Sequence, residues 1–389
     1  MAIKNLKTVY YKKETVFGED YDKTATFNEI KVSELTTNRE SEKLEVKFLN
    51  ADRELNNTTT TGRVNGKMSF AKPVDASFYK DHLELTESAF GKYNQTYVAD
   101  VVKGIVSVVT STVVTVADGT AFTVGDYVCI GVPDSNDYTA INKILSISTN
   151  EITLTYAMST NEQTKVDIGT DLLIIAPVFS PSETENDYFT FVCVYDDDSV
   201  EVLSGAKASM SFDVVREGKL DMKIDIMSAS IGSENASGTA FVKPNGTINL
   251  EGDYNAIYID LKQHWIYDAT TSGNKSLCPY NFALKVGHTL VPEKSLCGIN
   301  GINGYYSKAD ITAEIEFSRT PANLITFSTK NEGNTNSFLF LSQGNLALVS
   351  ERARFTNLDT GYTDDFDNIK LNVDVNYSTV YKFLVALPH

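Results

Sequence analysis

Cysteine is scarce. The 389 residues hold four, Cys129, Cys193, Cys278 and Cys297, and none falls in CxxC spacing. That number is too small for a disulfide framework in a chain of this size. Cys193, inside Phe191-Val192-Cys193-Val194, reads as a small buried hydrophobe. Nine prolines and 23 glycines exclude collagen-like and low-complexity architectures. No apolar run reaches the roughly 18 residues that a membrane span requires. Met1-Ala2-Ile3-Lys4-Asn5 also lacks the apolar stretch of a secretory signal. The expectation is a soluble, non-exported protein. Positive charge is short as well: 34 basic residues stand against 51 acidic ones, a net charge of −17. That balance argues against wrapping nucleic acid through phosphate contacts.

Catalytic signatures are equally thin. His82, His264, His288 and His389 lie far apart, none in HExxH or HxH spacing, and there is no GxSxG elbow. The glycine series Gly298-Ile299-Asn300-Gly301-Ile302-Asn303-Gly304 has period three, unlike a phosphate loop, and reads as a flexible loop. Asp196-Asp197-Asp198 sits between two apolar runs and reads as a hydrated hairpin tip. Asp359, Asp364, Asp365 and Asp367 around Gly361 do not follow the EF-hand order, and an Asx-rich turn explains them as well as calcium does. No residue is assigned a catalytic, cofactor-binding or metal-binding role. No cofactor is expected, and the chain reads as a non-enzyme.

What dominates is a period of two. Ala206, Ala208, Met210, Phe212 and Val214 alternate with polar residues, and Leu220, Met222, Ile224 and Ile226 do the same after Arg216-Glu217-Gly218. The pattern returns at Ile311, Ala313, Ile315 and Phe317, and again at Ile369, Leu371, Val373 and Val375. Such alternation marks antiparallel strands with one face on a core, so the fold class is mainly β. Two stretches carry a helical spacing: Tyr79, Leu83 and Phe90 with Asp75 as cap, and Ile257, Leu261 and Trp265 with Asp253 or Asn255. Each follows an Asn-Gly segment (Asn65-Gly66, Asn245-Gly246) and precedes an apolar strand opening at Tyr188-Phe189 or Tyr280-Asn281-Phe282. The shared order points to a duplication.

Residues 101–178 interrupt the first copy. Short runs rich in Val, Ile and Thr, separated by turns, predict a small barrel, SH3-like in type. Between Gly104 and Val178 two basic residues face eight acidic ones, a net charge of −6 for this module.

The segment Lys13-Glu14-Thr15-Val16-Phe17-Gly18-Glu19-Asp20, followed by Ile30 to Leu35, resembles the opening of phage tail tube (major tail) proteins of long-tailed, non-contractile phages. The likeness continues through Gly66-Lys67-Met68-Ser69-Phe70. It covers Phe189 to Ile226 too, where Leu203-Ser204-Gly205-Ala206-Lys207 leads into the alternating hairpin. A fainter second pass runs over 240–380. The resemblance implies a tail-tube-like β-sandwich with a flanking helix, duplicated: residues 1–100 with 179–232, then 233–389, with 101–178 as the inserted barrel. It implies rings that stack into a hollow conduit for DNA delivery: trimers of pseudo-sixfold symmetry if the domain is duplicated, hexamers otherwise. Further implied partners are other tail proteins at the tube ends and double-stranded DNA in passage, without specific binding. The implied place is the virion tail, assembled in the host cytoplasm. The stretch Arg39 to Gly62 reads either as a hairpin within one sandwich or as an arm packing between subunits. The alternatives from other classes are a surface-binding β module, an adhesin or carbohydrate-binding baseplate component, and a glycan-active β enzyme for which no carboxylate pair can be picked out.

Overall fold

The computed structural model describes residues 6–32, 34–49, 55–73, 82–90, 102–131, 139, 142–155, 157–158, 160–175, 187–215, 221–235, 237–251, 263–268, 274–276, 281–299, 302–318, 337–343, 346–362, 367–375 and 383–386. In chain order the elements are β1 (Leu6–Lys13), β2 (Phe27–Ile30), β3 (Glu34–Leu49), β4 (Leu55–Pro73), α1 (Leu83–Phe90), β5 (Val102–Thr110), β6 (Val113–Val116), β7 (Tyr127–Gly131), β8 (Asn142–Ser148) and β9 (Glu151–Leu154). There follow α2 (Thr160–Lys165), β10 (Leu172–Ile175), β11 (Phe189–Tyr195), β12 (Val200–Val215), β13 (Asp221–Gly232), β14 (Ile248–Asn249), β15 (Gln263–Asp268) and β16 (Asn274–Ser276). The last are β17 (Asn281–Ile299), β18 (Ile302–Ser318), β19 (Ser337–Gln343), β20 (Leu346–Tyr362), β21 (Asp367–Val375) and β22 (Phe383–Ala386). The chain is mainly β, with a closed six-stranded barrel and one larger mixed sheet.

The large sheet turns on β12. Along one edge it pairs first with β11, through Val200–Ala206, and then with β17, through Met210–Val215. Its other edge pairs with β13. The alternation read from the sequence sets these registers, because partners across a ladder share a face. Ile224 partners Met210, Met210 partners Val286, and Val286 partners Ile311. A parallel row runs from Met222 through Phe212, Leu284, Ala313 and Val373 to Phe355. On the described side chains of this face, Ala206, Ala208, Met210, Met222, Ile224 and Ile226 are all buried. Helix α1 packs on β12 and β17.

The helical readings need two corrections. Helix α1 forms, but its buried side chains are Leu85, Thr86, Ser88 and Ala89, and Leu83 is 39% exposed. The inward place one residue earlier belongs to His82, whose ring is held from below by β1. Tyr79 and Asp75 lie outside the described residues. The second helix is not one where it is described: Trp265 stands in β15, between Phe340 of β19 and Ser276 of β16. A spacing of four fits a helical face, yet being even it also fits one face of a strand, and the sheet partners decide. Ile257 and Leu261 lie outside the described residues. The two Asn-Gly segments also take different places. Gly66 lies within β4, paired antiparallel to β13, whereas Gly246 leads into β14, paired parallel to β2.

Hairpin β3–β4 runs well beyond the sheet. Past the Gly66–Ser228 pair, Glu40–Leu49 and Leu55–Asn65 pair with each other, and no further strand joins them among the described residues. At about 3.3 Å per residue that arm is roughly 30 Å long. In β17–β18 the series Gly298 to Gly304, expected as a loop, instead forms strand ends closing a long hairpin, with residues 300 and 301 outside the described set.

The barrel closes in the order β10-β5-β6-β9-β8-β7 around Ile105, Val114, Val128, Ile144, Ile152 and Leu173. Closure removes the open edges that short strands otherwise present. Its first and last strands pair, Val102 with Ile174 and Gly104 with Leu172, so the chain enters and leaves at neighbouring points. With a separate core and adjacent ends, a chain cut to residues 102–175 is expected to give its own cooperative urea transition by circular dichroism. A gradual, sloping curve would contradict that independence.

Candidate functional site

Several of the residues quoted for the family resemblance meet at one buried carboxylate. Strand β12 holds two residues, Ser204 and Gly205, between the pairs Leu203–Phe191 and Ala206–Phe189, where β11 holds Thr190 alone. This is a β-bulge, and Gly205 adopts the left-handed conformation (φ 60°) that such bulges assign to glycine. A bulge leaves backbone groups without ladder partners. Glu14, 7% exposed and placed just after β1, fills that need: its Oε1 accepts from Gly205 N–H and Thr190 Oγ1, both at 2.8 Å. Its Oε2 accepts from Gly18 N–H at 2.6 Å. The short gap between Glu14 and Gly18 lets one side chain fasten its own turn and the distant bulge together.

Phe17 closes the cluster. Its ring meets Tyr188 edge-on at 4.7 Å between centroids and packs with Met227 and Ala229. A Cβ on Gly205 would lie 3.0 Å from both the Phe17 ring and Ala229 Cβ. From the second half of the chain Gly304 of β18 reaches the same place, where a Cβ would lie 2.6 Å from the Tyr188 hydroxyl. This cover explains a departure from the expected polar face. Lys207, opposite Met227, is 2% exposed. Burial pulls its ammonium below the ordinary lysine value, and Asp187 pulls it back in part. Asp187 also binds Lys13 Nζ at 2.9 Å. Burial lowers the Lys13 value, but the Asp187 bond and charge outweigh it and leave it raised.

Glu14 and Glu19 titrate in opposite directions. Burial pushes Glu14 up, against the three hydrogen bonds that favour its charge. Glu19 keeps some contact with solvent; the small cost of burying it is outweighed by bonds from Lys12 and from the Thr15 hydroxyl and amide, which hold it down to about 2.

A second buried chain joins Tyr11 of β1, His82 and Glu251. Tyr11 Oη and His82 Nδ1 are 3.0 Å apart, and His82 Nε2 stands 3.4 Å from Glu251 Oε1. Lys31 N–H donates to Glu251 Oε2 at 2.5 Å. Hydroxyl, imidazole and carboxylate in this order resemble the arrangement of a nucleophilic triad. Tyr11 and His82 are each 1% exposed and Glu251 5%, so the three side chains lie together away from solvent, between β1, the start of α1 and the segment after β14. The sequence singles out His82 but neither partner.

The other candidates stay apart. Asp196 to Asp198 form the exposed β11–β12 tip, with Asp197 accepting from Ser199 N–H and Oγ. Asp359 pairs with Lys370 in the β20–β21 ladder and Asp367 with Tyr362, while Asp364 and Asp365 lie outside the described residues. Among the described residues no group of three potential metal ligands gathers. His264 stands in β15 and His288 in β17. His389 and Cys278 lie outside the described residues, and Cys297 stands in β17. Cys129 and Cys193 are buried free thiols, and burial raises Cys129 to about 12. Among the described residues no helix is long and apolar enough to cross a membrane.

No protein-family model matches the chain, and no curated protein proves similar to it.

Two measurements probe the carboxylate. Gly205→Ala should destabilise the chain by about 1–3 kcal/mol through backbone strain and crowding of Phe17, read by urea unfolding; no change would remove the bulge from its supporting role. The pH profile has two parts of opposite sign. Glu19, depressed, adds stability above its unfolded value, and this is lost as pH falls from about 4.5 toward 2. Glu14, raised, adds stability that is complete below its unfolded value and is lost as pH rises through the folded one. Glu19→Gln should therefore flatten the acid limb of stability against pH, and Glu14→Gln the limb just above it.

Proposed function

We propose that this chain is a structural subunit of a phage tail tube of the long-tailed, non-contractile type, with no enzymatic role. The observation that carries the reading is the convergence at Glu14. Glu14, Phe17-Gly18 and Ser204-Gly205-Ala206-Lys207, part of the set that carries the resemblance, form one device around a buried carboxylate although nearly 200 residues separate them in the chain. The two long hairpins β3–β4 and β17–β18 fit a subunit that reaches past its own sheet. In this reading the arm Glu40–Asn65 packs on a neighbouring copy, and heterologous contacts close the ring. The negative charge suits a lumen that repels passing DNA rather than holding it. Two sandwich domains, 1–100 with 179–232 and 233–389, put three chains in a pseudo-sixfold ring; a single domain puts six. The chain then belongs to the virion tail, is assembled in the host cytoplasm and meets other tail proteins at the tube ends.

One observation favours the surface-binding alternative. The barrel leaves Val106, Val109, Val124, Leu145 and Ile168 more than half exposed, and exposed apolar side chains of this size suit a docking surface.

Electron microscopy of the purified chain over a concentration series separates the readings. Stacked rings or hollow tubes are expected, and the subunits per ring decide between three and six. Closed oligomers without a pore would transfer the assignment to the binding module. Removing Lys43–Thr61, the distal part of the arm, should abolish tubes while leaving the circular dichroism spectrum and urea midpoint close to those of the full chain.

A further inference from the structure

The segment after β13 lies along the sheet as a cover. From Phe241 to Glu251 it follows the outer edge of β2 and the turn before it. Phe241 meets the Tyr21 ring edge-on at 5.6 Å, and Tyr21 Oη donates to the Val242 carbonyl at 2.7 Å. Asn245 N–H donates to Lys23 O at 2.8 Å, and Phe27 N–H donates to Thr247 O at 3.0 Å. β14 then pairs parallel to β2, with Asn249 Nδ2 donating to Asn28 Oδ1 at 2.8 Å. Gly246 lets the segment lie flat, since a Cβ there would fall 2.2 Å from the Thr24 carbonyl oxygen.

Little apolar surface holds this strap down. Pro244 is buried, but Phe241 and Ile248 are only partly so, Val242 is 48% exposed and Leu250 75%. Its one deeply buried carboxyl is Glu251, at the far end, which accepts from the Lys31 amide and lies 3.4 Å from His82 Nε2. Beneath the strap lies an apolar patch of Phe27, Val192, Val194, Val200 and Val202. Strap and patch together hide what an edge strand with an apolar face otherwise offers to another strand.

We propose that residues 241–251 are a latched strap, released as a unit at Glu251, and that the uncovered β2 edge and valine patch receive the same segment of a second copy. The occupant follows from the seat itself: it already fits this segment along its full length, so a second copy brings every contact the first one gives up. Exchange of an identical element is a low-cost route to linked chains. A segment held by few buried apolar contacts opens below the global unfolding free energy.

Hydrogen exchange and a disulfide trap test both steps. Glu251→Gln replaces the latch carboxyl by an amide, and Gly246→Ala lifts the strap at its middle without touching the latch. Each should speed exchange at the Phe27, Lys31 and Asn245 amides about tenfold or more, with β11, β12 and the barrel unchanged. Unchanged strap amides, or acceleration spread over the whole chain in both variants, would overturn the latch. The chain with Asn28→Cys and Asn249→Cys should give disulfide-linked dimers and longer ladders on non-reducing gels. Their yield should rise with concentration and rise again when Glu251→Gln is added. Monomers linked only within themselves at every concentration would overturn the exchange. Linked chains that never form tubes would support the strap and count against the tube, so the two proposals fail separately.

Discussion

A single carboxylate sets the geometry on which the first half of the molecule depends. β12 has to serve three neighbours, and it changes partner from β11 to β17 along one edge. The bulge at Ser204-Gly205 comes in the β11 stretch, just before that change, and a bulge both bends its strand and strips backbone groups of their partners. Glu14 supplies acceptors for the Gly205 amide and the Thr190 hydroxyl, and binds its own turn with the second oxygen. Replacing it with an apolar residue would leave buried N–H groups unsatisfied, at a cost of about 1–3 kcal/mol for each. The aromatic cover of Phe17 and Tyr188 then keeps water from competing for the same donors.

From that point the sheet is propagated by register. Once Met210 and Phe212 are fixed opposite Val286 and Leu284, the strict alternation of β18 and β21 leaves one pairing that keeps apolar positions in the same row. The two halves of the chain are thus joined by a ladder rather than by a linker. Gly304 adds a second junction, where β18 returns to Tyr188 beside the bulge.

Much of this was legible in the sequence, for identifiable reasons. Alternating strands are local patterns, and the four runs at 206–214, 220–226, 311–317 and 369–375 fall within β12, β13, β18 and β21, apart from Leu220, which lies outside the described residues. The barrel was legible because its strands are short and its turns polar. The phase of α1 was not, since Leu83 and Leu85 are equally apolar, and it is the packing of the helix on β12 and β17, with His82 against Tyr11, that buries Leu85. Trp265 misled because an even spacing serves helix and strand alike. Lys207 reads as a solvated residue until the Phe17–Tyr188 cover and Gly304 are placed over that face. Glu251 gave no signal at all: it lies 220 residues from the Lys31 amide it accepts from, and one acidic residue among 51 has nothing to distinguish it.

The neighbouring ends of the barrel have a mechanical consequence. Tension along the chain enters at Val102 and leaves beside Ile174, so it pulls a paired couple of strands apart from their free ends. Hydrogen bonds loaded in that way break one after another instead of sharing the force. The barrel is therefore a compliant length of the chain. Unzipped, its 74 residues would release about 250 Å of extended chain, while the large sheet, whose halves are joined by a ladder, kept its register.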